Sequence, residues 1–284
     1  MRHRFRFHSF IVLLTALGAA PAGWTEESTP GQPEIPMVAP LTKAEMDASS
    51  SSNVLTLPMP GEFFSAIGKR NRPDWSLFYR APLAQNYSNR AQIALNLGGL
   101  IADGYIAVEA QDGQQVKNIG KDIVTLAKAL GVSKDVLSRG NSISDFAENN
   151  EWNALKEELE ATQNDVRSAM AAMDDQDLII LLNLGGWIRG TEVVSSVIAQ
   201  NYTPEDARLL RQPAIIRHLA KQIDLLPQAL QDEPLIAELR KKLLTLQSLV
   251  SYPIDHTPAP AEAVALRTEI TSFMPLITTP TSEK

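Results

Sequence analysis

The pentapeptide "LNLGG" occurs twice, as Leu95-Asn96-Leu97-Gly98-Gly99 and as Leu182-Asn183-Leu184-Gly185-Gly186. Each copy lies in an apolar run with helical character, "AQIALNLGGLIADGYIAVEA" (91–110) and "DLIILLNLGGWIRGTEVVSSVIAQ" (177–200). Glycine inside a helix is about 1 kcal/mol less favourable than alanine, so a Gly-Gly pair in two helices needs a compensating role. Ala94, Gly98 and Ala102 share one face of the first helix, and Gly186 and Gly190 one face of the second. Small residues at four-residue spacing make a groove that lets another helix backbone approach closely. Both runs are apolar nearly all round, as central buried helices are. The reading places them as equivalent helices in the middle of the molecule, meeting at their glycines.

Working outward, the chain from about Ala84 reads as helix after helix, with apolar residues three and four apart. Gly131 stops one helix and Asp174 caps the helix of the second pentapeptide. "TPED" at Thr203–Asp206 starts another with a cap, a proline and two acids, and Pro213 kinks or splits it. No segment alternates as a strand would. The predicted fold is all-α, a bundle of about eight helices.

The repeat extends beyond the pentapeptide. "LAKAL" (126–130) matches "LAKQI" (219–223), and "LKEELEATQNDV" (155–166) matches "LRKKLLTLQSLV" (239–250), in the same order and at similar offsets. Ordered self-similarity is the mark of duplication. The predicted organisation is helical unit one at 86–173 and helical unit two at 174–262, with a C-terminal helix and tail at 263–284. Before them, 61–85 carries Phe63, Phe64, Trp75, Phe78 and Tyr79 and reads as an aromatic strap with a short helical turn. Residues 23–60 are a Pro- and Ser-rich flexible linker. Residues 1–22 have a basic start, a short apolar run and the small residues Ala20-Pro21-Ala22, the pattern of a signal peptide cut before Gly23.

Composition narrows the functional classes. The formal net charge is −7, and cleavage removes Arg2, Arg4 and Arg6, so the remaining surface disfavours nucleic acid and anionic lipid. Past the leader no run of 18 uninterrupted apolar residues occurs, so no integral membrane segment is expected. Cysteine is absent, which removes thiolate catalysis, thiolate zinc sites and iron–sulfur clusters. No nucleophile elbow, phosphate loop or dinucleotide fingerprint is present, and "MDDQD" (173–177) lacks the span of a calcium loop. His218 lies on a basic helix face, and His256 follows Asp255 in a loop; neither has metal-ligand spacing.

The polar residues on the glycine helices are the remaining candidates. Asn96 and Asn183 hold equivalent positions and are each expected to bond a neighbouring helix. Asp103 and Arg189 lie one turn past the glycines. An inward charge needs a partner, so they are expected to pair across the units, or Arg189 to pair with Glu192. The reading is an exported soluble interaction or scaffold protein of the cell envelope, periplasmic or secreted, with no catalytic residue and no cofactor or metal. Its partner would be a protein or small molecule of the envelope. The alternative is a periplasmic small-molecule binding protein with an apolar pocket between the two units, lined by Asn96, Asp103, Asn183 and Arg189.

Overall fold

The computed structural model describes residues 60–280 apart from Gln85 and Ser133, with backbone alone for residues 134–138. The leader and the linker lie outside the described residues. Among the described residues there are twelve α-helices, two 3-10 turns and no strand. Nine of the helices are twelve residues or longer.

The segment read as a strap begins with a three-turn helix, α1 (Pro60–Asn71), which buries Phe64 and Ile67. A 3-10 turn at Trp75–Phe78 follows, capped by Asp74, which accepts from the Ser76 N–H. Trp75 meets Phe64 edge-on at 5.5 Å and Phe78 at 6.4 Å. Five apolar or aromatic side chains in so short a stretch are not stable in water, and three of them enter the core.

Helix α2 (Arg90–Glu109) is then capped by Asn89, whose side-chain oxygen accepts from the Gln92 N–H at 2.8 Å. It is buried from Ala91 to Val108. Helices α3 (Gly113–Ala129), α4 (Lys134–Glu148) and α5 (Trp152–Ala172) pack each on the next, and α5 returns to α2 and α6 (Gln176–Gln200). The four connections share one device. Gln111, Gly131, Asn150 and Asp174 each have positive φ, and around each the two Schellman bonds form. Asp174 therefore ends α5 and does not cap α6. The residue at the cap is Asp175, whose carboxylate bonds Arg90 at 2.7 Å.

Helices α2 and α6 are the central pair and run in the same direction. Arg90 and Asp175 join their starts, and Asp103 and Arg189 join them further along. Both are long and apolar enough to cross a membrane, and here both are mostly enclosed by protein.

Beyond α6 the helices are shorter. Thr203 caps α7 (Pro204–Ala207), accepting from the Asp206 N–H at 3.1 Å. A 3-10 turn, Arg208–Leu210, separates it from α8 (Pro213–Asp224), in which Pro213 is the first residue, so the proline divides the expected helix in two. Helix α9 (Gln228–Gln231) is one turn. Helices α10 (Pro234–Val250), α11 (Pro260–Thr271) and α12 (Phe273–Thr278) complete the chain. Helix α11 lies along α6, and α12 reaches α2. Residue 262, the expected end of unit two, falls in the first turn of α11. One core cluster runs through all of these elements, including Met170 before the unit boundary and Leu178 after it.

Candidate functional site

At the junction of α2 and α6 the backbones touch. A Cβ on Gly98 would stand 1.9 Å from the Leu182 carbonyl oxygen, and a Cβ on Gly185 1.9 Å from the Leu95 carbonyl oxygen. The two contacts are reciprocal: each pentapeptide's first glycine meets the other's first leucine. The expected face of α6 is met in part. A Cβ on Gly186 would stand 3.3 Å from the Gly98 carbonyl oxygen, so Gly186 also lies at the junction, but the tightest approach falls on Gly185, and Gly190 instead has Pro60 of α1 as its neighbour at 3.9 Å. At the glycines themselves backbone meets backbone without intervening space.

Asp103 and Arg189 are brought together just beyond this contact. Arg189 Nε donates to Asp103 Oδ1 at 2.7 Å, and its Nη1 donates to Glu192 Oε2 at 2.6 Å, so the cross-helix and the local partner are both engaged. Its Nη2 donates to the Phe78 carbonyl. Arg80, in the segment after the 3-10 turn, donates from Nε to Asp103 Oδ2 at 2.9 Å and again from Nη2. The result is a chain Arg80–Asp103–Arg189–Glu192 of two cations and two anions. Asp103 and Arg189 are both buried. Burial works against the Arg189 charge, but the Asp103 and Glu192 carboxylates outweigh it and hold its pKa above the usual arginine value. Gly99 makes room for Arg80, whose Nη2 lies 3.3 Å from where a Cβ would be.

The asparagines part company. Asn96 Nδ2 donates to the Ile277 carbonyl of α12 at 2.8 Å and to Gln92 O in its own helix at 2.9 Å. Asn96 Oδ1 is buried without a partner. Asn183 is half-buried, and among the described residues its side chain makes no hydrogen bond.

Two clefts flank the ionic chain. One, about 370 Å³, lies on the α3 side and is lined by Tyr79, Arg80, Asp103, Gln115 and Lys121. Burial, and then the Asp112 carboxylate to which it donates at 3.3 Å, raise the Tyr79 hydroxyl well above the usual tyrosine pKa. The other, about 380 Å³, lies between α6 and α11 and is lined by Leu77, Arg80, Arg189, Glu192, Gln200 and Arg267. Sequence reasoning missed Arg80 and Arg267. Arg80 lies in a segment without periodicity, and its only signal was that a second inward acid calls for a second cation.

The histidines are placed elsewhere. His256 stacks on Tyr252 at 4.9 Å and its Nε2 meets Glu262 at 2.9 Å, so its partner is Glu262 and not the adjacent Asp255. Burial, and then Lys221, lower the His218 pKa. Among the described residues no three His, Asp or Glu side chains gather as a metal site would require. Comparison with known proteins finds no matching family model, no matching curated protein and no matching solved structure.

Proposed function

We propose that this chain is an exported interaction or scaffold protein of the cell envelope, without a catalytic role, built by duplication of a helical unit. The observation that carries the reading is the closed centre. The charged residues best suited to a central ligand, Asp103 and Arg189, satisfy each other and their neighbours, and the glycines bring backbone against backbone. A rigid, filled junction suits a protein that presents a surface. Export is supported by the leader-like start, and duplication by the reciprocal glycine contact together with the ordered sequence matches.

The test begins with the full-length gene product in a bacterial host that processes signal peptides. The periplasmic fraction should hold a protein whose N-terminal sequence starts at Gly23. A chain that stays in the cytoplasm and begins at Met1 overturns the export reading. Crosslinking in intact cells should then join the exported protein to one recurrent envelope partner. Recovery as a monomer, with a turned-over metabolite in its place, overturns the scaffold reading.

A further inference from the structure

Among the described residues, the cleft between α6 and α11 holds one cation without an ion-pair partner. The chain Arg80–Asp103–Arg189–Glu192 is neutral in itself, each guanidinium bonded to a carboxylate. Arg267 on α11 lines the same cleft, is half-buried, and makes no hydrogen bond or ion pair among the described residues. A guanidinium held against protein and left unmatched is a ready partner for a planar anion, because its paired N–H groups fit a carboxylate in two-point fashion. At about 380 Å³ the cleft is near the lower end of the roughly 300–1,000 Å³ usual for small-ligand sites.

The same cleft carries an apolar rim. Leu77 on the 3-10 turn is 69% exposed and lines it. An exposed leucine by itself says little. Beside a single unmatched cation it defines the other end of a ligand, an apolar group a short distance from an acid. The ordered ion pairs behind Arg267 also fix the wall, since Arg189 is locked by three bonds. We propose that this cleft binds an organic carboxylate, with its anion on Arg267 and its apolar part over Leu77. The carboxylate belongs either to a small free acid or to the C-terminus of a peptide. This goes beyond the scaffold reading and does not depend on it.

Calorimetric titration of the full chain tests it with hexanoate, hexanamide and hexylammonium, which share one apolar body. Hexanoate should bind at one site, at least about tenfold more tightly than either analogue, as a charge-assisted bond requires. Arg267→Gln should lower hexanoate affinity about tenfold or more with an unchanged thermal midpoint, and Arg267→Lys should fall between. Leu77→Ser should weaken hexanoate and leave acetate unaffected. A second arm uses the tripeptide Ala-Ala-Leu with a free or an amidated C-terminus. Preference for the free tripeptide over hexanoate identifies a peptide end as the source; the reverse identifies a free acid. The proposal fails if neither carboxylate outbinds its neutral analogue, or if Arg267→Gln binds hexanoate as the parent does.

Discussion

At the scale of single residues the glycines separate by what an added methyl would meet. At Gly98 and Gly185 it would meet a backbone carbonyl at 1.9 Å, which cannot swing aside. Overpacking typically costs about 1–3 kcal/mol and occasionally more, and here Gly98→Ala and Gly185→Ala are each expected at or above the top of that range. At Gly120 nothing lies within 4 Å. There Gly→Ala should stabilise by about 0.4–1 kcal/mol, through loss of unfolded-state freedom. Thermal and urea unfolding of the three variants checks this; equal effects at Gly98 and Gly120 would sink the close-packing account. The need for a close approach was legible in the repeated pentapeptide. That Gly185 makes the tightest contact was not, because four-residue spacing picks out Gly186 and Gly190. The ionic chain gives a second expectation. Arg189→Met leaves Glu192 and the Phe78 carbonyl without their donor, and breaking a buried pair typically costs about 3–5 kcal/mol. Arg80→Ala should cost less, because Asp103 keeps Arg189 and Arg80 lies nearer solvent. Denaturant midpoints of the two variants should therefore differ in that order.

At the scale of elements the first half of the fold is a run of helices closed by one turn type. Of the four residues at positive φ in these turns, only Gly131 announced itself in the sequence; Gln111, Asn150 and Asp174 use side-chain types that also sit in ordinary loops. That is why the helix after Asp174 was assigned the wrong cap. Non-glycine residues in the left-handed region are strained by about 1–2 kcal/mol, so Gln111→Gly should raise stability by a fraction of that once the extra chain entropy is set against it. Gly131→Ala should lower it. Opposite shifts in the unfolding midpoint are the expected signature, and a fall for both would show that Gln111 has a packing role. The α11 start adds a pH dependence. Glu262 accepts from the Ala259 N–H at 2.6 Å, and that bond first, then His256, lowers its pKa below the ordinary 4.5. A carboxylate with a lowered folded-state pKa contributes stability above its unfolded value and loses it as pH falls through the folded one. Glu262→Gln should thus narrow the gap in stability between neutral and acid pH, measured as the difference in unfolding midpoint between pH 7 and pH 3.

At the scale of the whole molecule, two segments from opposite ends of the described chain close over the same central pair. Helix α1 sets Pro60 against Gly186 and Gly190 of α6, while α12 is anchored to α2. The anchorage is specific. The last carbonyls of a helix have no partners within it. Here Gln92 Nε2 donates to Ile277 O at 2.9 Å and Thr279 O at 2.6 Å, Asn96 Nδ2 donates to Ile277 O, and the Tyr87 hydroxyl donates to Thr278 O at 2.7 Å. Helix α12 also buries Phe273 and Ile277 completely or nearly so. From the sequence these C-terminal residues looked like an addition to the duplicated units, since no partner in the other half echoes them, and a short helix of six residues has too little periodicity to reveal what it covers. Physically they act as a plug: they supply acceptors to buried side-chain amides of α2. A chain ending at Ser272 loses two core side chains, each of which typically contributes about 2–5 kcal/mol, and takes from Gln92 and Asn96 the acceptors that α12 supplies, Asn96 keeping its bond to Gln92 O. Against a whole-domain stability of about 5–15 kcal/mol that is a large fraction. The truncated chain should unfold well below the full-length midpoint or fail to reach a cooperative transition. Gln92→Leu and Asn96→Leu introduced together should recover part of the loss in the truncated chain, because buried amides that have lost acceptors give way to apolar groups, yet destabilise the full-length one, where the carbonyls at the end of α12 lose donors. If the double substitution shifts both chains in the same direction, the amides do not serve the C-terminal segment, and α12 is held by its two apolar side chains alone.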